Sequence, residues 1–308
     1  MKRKQTSTGY ISILFLGILA LLMGFPSDSI GQDLPPPALE IPLYEGAAPG
    51  SEEWDWNENA ATTASGLPMI QNVVKPVLLY YPPDPSEAIG TAMIVAPGGG
   101  TRTLMMSYEG VDIARHLNRL GVHAFVLKYR LIHIDLENPG KRPENYKRGM
   151  GFLGKQAGQN VRVLAASDGQ QAVRILRQQA GEFNITPDRI GIMGFSAGGR
   201  VTVATVLGPA ETRPDFAAPI YAPAGKEYDL PIVVPDNAPP LFIATAANDQ
   251  VIPWQCSFDL FEAWQEAGHP AEIHIFQTGK HGFGQKGGGA DHFMDRLEEW
   301  LRVNGLLN

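Results

Sequence analysis

Ile190-Gly191-Ile192-Met193 runs into Gly194-Phe195-Ser196-Ala197-Gly198, and this stretch decides the fold. The first half is a short apolar run of the kind a buried strand makes. The second half is G-x-S-x-G. The next segment, from Ala197 to Leu207, has helical character. A serine at a glycine-bounded strand-to-helix junction is a nucleophile elbow: the turn is too tight for side chains at its flanks, and its strain lifts the hydroxyl clear of the sheet. The Ala197 N–H stands at the helix start without a helical acceptor, so it can face an oxyanion.

Outward from this junction, strand and helix patterns alternate. The apolar runs Val77–Tyr81, Thr91–Ala96, His123–Tyr129, Arg189–Phe195, Phe216–Tyr221, Leu241–Ala246 and Ala271–Phe276 read as strands. Glu109–Leu120 has apolar residues at 111, 113, 114, 117 and 120, which is helical spacing, and Gly121 is a fitting stop. Val161–Phe183 reads as one long helix, with further helices over Pro253–Ala267 and Phe293–Val303. Such alternation implies an α/β fold with a mainly parallel sheet covered on both faces by helices. Residues 131–160 are polar and Gly-rich and break the rhythm, as a long loop near the sheet's carboxyl edge would.

The other members of a hydrolytic site emerge from the same placement. A serine hydroxyl needs a base. Of seven histidines, His116 and His123 lie within a helix and at a strand start and read as structural, and His133 and His292 are left open. His281, in Thr278-Gly279-Lys280-His281-Gly282-Phe283-Gly284, directly follows a strand and therefore shares the carboxyl edge with Ser196. Asp249, in Ala246-Ala247-Asn248-Asp249-Gln250, follows the strand before it, with Asn248 or Asp229 as the alternative acid. The order Ser196, Asp249, His281 is that of a Ser-Asp-His triad on this kind of sheet. Pro97-Gly98-Gly99-Gly100 also follows a strand. It carries no GK[ST] and no G-x-G-x-x-G spacing, so it reads as an oxyanion loop, with the Gly99 or Gly100 N–H joining that of Ala197.

Composition excludes other classes. The chain has 308 residues, 44% hydrophobic and 19% charged, which suits a globular core. Its net charge of −7 leaves no basic surplus for nucleic acid. A single cysteine, Cys256, rules out an internal disulfide and reads as a buried, inert thiol. No His/Asp/Glu cluster has metal-ligand spacing, and no cofactor is implied. Asp168 and Arg130 read as charges held in structural ion pairs.

The N-terminus has the three parts of a secretory signal peptide: Lys2-Arg3-Lys4, the apolar run Ile11–Met23, and Ser29-Ile30-Gly31. At 13 residues the run is short of the roughly 20 that a membrane span needs. Cleavage after Gly31 removes three positive charges and one negative charge and takes the net charge from −7 to −9. Residues 1–31 are thus expected to be a signal peptide on a secreted or periplasmic protein with no membrane attachment once it is removed. Retention as an anchor is the alternative. Residues 32–66, rich in Pro, Gly and acid, read as a linker and irregular strap whose Trp54 and Trp56 dock on the main body. Residues 67–308 read as the catalytic domain.

With these motifs in place, the sequence resembles the α/β-hydrolase superfamily over roughly residues 41–303. Within it, the chain is similar to secreted bacterial acetyl-xylan esterases and carboxylesterases of the dienelactone-hydrolase-like group. The likeness rests on Pro97-Gly98-Gly99-Gly100, Val126-Leu127-Lys128-Tyr129-Arg130-Leu131, Arg189 to Gly199, Arg213-Pro214-Asp215-Phe216 and Gly279-Lys280-His281-Gly282-Phe283-Gly284. It implies a serine carboxylesterase acting on an ester substrate such as an acetylated plant or algal polysaccharide. Other small or feruloyl esters, a serine peptidase, and a non-enzymatic carbohydrate-binding frame are the alternatives. Thr101 stands where an aromatic residue is common in these relatives, and Met105-Met106 is expected to line an acyl pocket.

Overall fold

Eight strands make the main sheet of the computed structural model, which describes residues 34–137, 161–284, 290 and 292–307. In chain order the strands are β1 (Leu39–Pro42), β2 (Asn59–Thr62), β3 (Pro68–Gln71), β4 (Val77–Tyr81), β5 (Ala92–Ala96), β6 (Thr103–Met105), β7 (His123–Lys128), β8 (Ile190–Phe195), β9 (Phe216–Ile220), β10 (Leu241–Ala246) and β11 (Ala271–Phe276). The main sheet runs β1-β4-β7-β5-β8-β9-β10-β11. β1 pairs antiparallel with β4 and β4 with β7, and every later neighbour is parallel.

Every residue of β5, β7, β8, β9 and β10 is buried. Successive side chains in a strand point to opposite faces, so burial without alternation means that both faces are covered. The covering helices are α1 (Asp112–Arg119), α2 (Val161–Gln178), α3 (Ala197–Val206), α4 (Gln255–Glu266) and α5 (Phe293–Val303). β11 mixes half-buried and exposed residues, as befits an edge. The β4, β10, β11 and α5 boundaries coincide with those the sequence implies. The long helix ends at Gln178 instead of Phe183, and residues 179–184 close it in turns.

Three differences have physical reasons. Residues 34–66 are not an irregular strap throughout: β1 extends the main sheet, and β2 joins β3 and β6 in a second, three-stranded antiparallel sheet. These strands hold only three or four residues each and show no apolar alternation. The expected docking of the tryptophans does occur. Trp54 and Trp56 stack at 4.7 Å, and Trp56 stacks on His133 at 4.6 Å. Residues 107–111 wind as a π-helical turn before α1 begins at Asp112, so Glu109 does not open an α-helix. Residues 1–31, expected to be a signal peptide, and most of the loop expected over 131–160 fall outside the described residues.

Arg130 and Asp168 pair with each other, with both side chains fully buried. The guanidinium meets the carboxylate through Nε and Nη2, the Arg130 N–H donates to the same carboxylate at 2.9 Å, and Tyr44 donates its hydroxyl at 3.2 Å. The pair ties β7's exit to α2. Cys256 is buried, as the sequence implies.

Candidate active site

Ser196 sits between β8 and α3 with φ 52° and ψ −115°, a backbone conformation that a non-glycine residue holds only where its surroundings enforce it. The enforcement is visible on both sides. A Cβ on Gly194 would overlap the Gly198 carbonyl, and one on Gly198 would overlap the Ala96 carbonyl of the neighbouring strand. The Ser196 N–H donates to Ile220 O at 3.0 Å, which fixes the elbow to β9.

Asp249 leaves the carboxyl end of β10, and His281 leaves that of β11. The sheet order thus delivers three residues, distant in sequence, to one rim. His281 Nε2 lies 2.9 Å from Ser196 Oγ, and Nδ1 lies 2.7 Å from Asp249 Oδ2. Since an ionised carboxylate only accepts, Nδ1 carries the proton and Nε2 is free to accept from the serine. Asp249 Oδ1 accepts the N–H groups of Val251 at 2.8 Å and Ile252 at 2.9 Å. Burial alone would raise its pKa. The hydrogen bonds from His281, Ile252 and Val251 outweigh burial and hold it below the usual carboxylate value, so it stays charged beside the ring. The Asp249 side chain is fully buried and that of His281 is 21% exposed.

The two fallback residues do other work. Asn248 Oδ1 accepts the Lys280 N–H at 2.8 Å and so ties the aspartate loop to the histidine loop. Asp229 lends its carbonyl oxygen to Arg200 Nη2 at 2.9 Å.

A pocket of about 160 Å³ opens at the serine, with Gly100, Thr101, Ser196 and Ala197 in its wall. Of the two expected loop donors, Gly100 lines this pocket and Gly99 does not; the Gly99 carbonyl accepts the Arg102 and Thr103 N–H groups. Thr101 holds a left-handed conformation, φ 62°, at the pocket wall. Met106 is buried and lines a separate apolar groove with Pro36, Ile70 and Tyr81, so the acyl pocket expected from Met105-Met106 is not at Ser196.

Sequence reading missed Arg200, Arg162 and Tyr228 in the pocket wall. Arg200 is 8% exposed and donates to the carbonyls of Tyr228 and Asp229. Burial and the neighbouring Arg162 charge lower its pKa to about 10. Its place two residues beyond the G-x-S-x-G motif was the available signal. Among the described residues no group of His, Cys, Asp or Glu could hold a metal ion.

A family model for dienelactone hydrolases matches residues 122–308, from the start of β7 to the end of the chain. The chain belongs to the dienelactone hydrolase family. Membership in this family of α/β-hydrolases agrees with the observed strand order and the elbow. Among curated proteins, the chain is 30% identical over 237 residues to an acetylxylan esterase of Xylanibacter ruminicola, covering 68% of this chain and 43% of that one. It is 26% identical over 225 residues to the endo-1,4-beta-xylanase B of Butyrivibrio fibrisolvens, covering 62% and 32%. The chain thus spans less than half the length of these relatives. Among solved structures, an acetyl ester-xyloside bifunctional hydrolase from Caldicellulosiruptor lactoaceticus aligns with a TM-score of 0.63 at 23% identity, over 89% of this chain and 99% of that one. A butyrate-bound esterase, Est2, from Thermogutta terrifontis aligns with a TM-score of 0.58 at 21% identity, over 76% and 91%. At these identities the structural likeness establishes the shared fold.

Proposed function

We propose that this protein is a secreted serine carboxylesterase that removes acetyl groups from a polysaccharide such as acetylated xylan. The observation that carries the hydrolytic reading is the continuous hydrogen-bonded line from Asp249 through His281 to Ser196, ending at a pocket walled by Ala197 and Gly100. In this reading Ser196 Oγ attacks the ester carbonyl while His281 Nε2 takes its proton. Asp249 holds the ring and stabilises the imidazolium. The Ala197 N–H and that of Gly99 or Gly100 receive the tetrahedral oxyanion, each such donor being worth roughly 3–4 kcal/mol of barrier. The imidazolium then protonates the departing alkoxide. Water, activated by the same histidine, cleaves the acyl-enzyme.

The polysaccharide part of the proposal is supported by the acetylxylan esterase similarity and by the signal-peptide pattern, because a polymer must be met outside the cell. The test is a substrate panel of p-nitrophenyl acetate, acetylated xylan, a feruloyl ester and a peptide. Release of acetate from the xylan, lost in Ser196→Ala, is expected. Cleavage confined to the feruloyl ester or the peptide would replace this reading with one of its rivals.

A further inference from the structure

Glu109 is a carboxylic acid 2% exposed in the middle of the molecule, and the triad does not use it. The sequence pattern places it in the first turn of a helix, where an acidic residue is ordinary. The π-helical turn over Ser107–Val111, closed by Val111 N–H donating to Met106 O at 2.8 Å, puts it inside instead. Such wide turns are frequent at functional sites, where a side chain takes a position that the α-helix would not give it.

Its two oxygens meet two donors that belong to different halves of the catalytic centre. Oε2 accepts the N–H of Gly98, the first glycine of the oxyanion loop, at 2.9 Å. Oε1 accepts the hydroxyl of Tyr221 at 2.7 Å. The ring of Tyr221 lies 5.0 Å from the imidazole of His281, centre to centre, and 4.7 Å from Phe283 in the same loop. Tyr221 also follows Ile220, whose carbonyl anchors the Ser196 N–H. Its backbone has φ 37°, so something must hold it there. Burial, and the Glu109 charge beside it, push the Tyr221 hydroxyl well above its ordinary pKa, which leaves it a fixed donor.

Gly98 completes the geometry. A Cβ there would lie 2.6 Å from Glu109 Oε2 and 3.2 Å from Ser196 Cβ. The room under the serine that a side chain at position 98 would fill is therefore held by the glutamate together with the Phe195 carbonyl, 2.8 Å from such a Cβ. One buried carboxylate thus touches both the glycine loop and the ring beside the imidazole.

We infer that Glu109 is a positioning residue that sets the oxyanion loop through Gly98 and His281 through Tyr221. The inference rests on the serine-esterase reading above. A loop displaced by about 1 Å costs on the order of 100-fold in rate without weakening ground-state binding.

The experiment measures kcat and KM on p-nitrophenyl acetate, active-site concentration by titration, and the affinity of a boronic acid that mimics the tetrahedral adduct. Glu109→Ala should lower kcat about 100-fold per titrated site, leave KM within about twofold, and weaken the boronate by the same factor as kcat/KM. Glu109→Gln should recover to within about tenfold of the wild-type rate, because its carbonyl oxygen can accept from Gly98 and its amide can donate to a turned Tyr221 hydroxyl. If Glu109→Ala does not fold, Tyr221→Phe carries the test, with kcat expected to fall about tenfold at unchanged KM. A kcat per site within about threefold of wild type in Glu109→Ala would overturn the inference, as would a loss confined to KM or a glutamine variant as slow as the alanine. With Tyr221→Phe as the test, a wild-type kcat would do the same. An inactive wild-type enzyme would instead overturn the esterase reading on which it depends.

Discussion

Two acid–base pairs stand out in the molecule's polar interior, and they differ in what surrounds the acid. Asp168 and Arg130 are both fully buried, and the carboxylate meets a permanent cation, a backbone N–H and a tyrosine. Burial nevertheless pushes its pKa up, against the pull of Arg130. Asp249 is also buried, but its partner His281 is partly open, and the hydrogen bonds from that ring and from two loop N–H groups offset its desolvation, so its pKa falls. The first arrangement is sealed from solvent and locks β7's exit to α2. The second leaves the imidazole side chain 21% exposed. A buried carboxylate held by backbone N–H groups beside a partly exposed imidazole suits proton transfer, while a sealed ion pair holds chain segments together.

This contrast is broken most severely at the open pair. Asp249→Asn should lower kcat about 10⁴-fold by presenting the wrong histidine tautomer, with little loss of thermal stability. Calorimetry alongside kinetics checks both halves. At the sealed pair the effects reverse. Arg130→Met takes the guanidinium away from the buried Asp168 carboxylate and from the carbonyls of Pro49 and Leu164, so unfolding free energy should drop by about 3–5 kcal/mol, while kcat per folded molecule stays near wild type. Urea titration with active-site counting measures it. Replacing both members, Arg130→Met with Asp168→Leu, should recover most of that loss, because no charge is then stranded.

The smallest effect is in pH. Asp249 has a folded-state pKa below its ordinary 3.8, so its contribution to stability is present above that value and is lost as pH falls through the lower folded one. The stability difference between wild type and Asp249→Asn should therefore be constant near neutrality and shrink below pH 3.8. A difference that grows on acidification would contradict the hydrogen-bonded account of this carboxylate.

The two pairs were unequally legible in the sequence. Ser196, Asp249 and His281 could be placed because each follows a strand whose apolar run is unmistakable, and parallel strands send all their carboxyl ends to one rim. The ion pair was suggested only by charges beside apolar elements. The second sheet was not legible, since Asn59–Thr62 and Pro68–Gln71 carry no alternating pattern and are held by pairing with each other and with β6. Nor was the inward turn of Glu109, because a π-helical turn differs from an α-helical one by a single residue of winding that no apolar period records. Tyr228 reaches the pocket through a tertiary contact, its carbonyl accepting from Arg200 of α3, and only Arg200's closeness to the G-x-S-x-G motif was visible in the sequence.

The central claim is that Ser196 is a nucleophile activated by His281. Intact-mass measurement after exposure to a fluorophosphonate tests it most directly. The account predicts one adduct per chain in the wild type, mapped to the peptide containing Ser196, with none in Ser196→Ala and strongly slowed labelling in His281→Ala. An unlabelled wild-type protein, or equal labelling of Ser196→Ala, would contradict it.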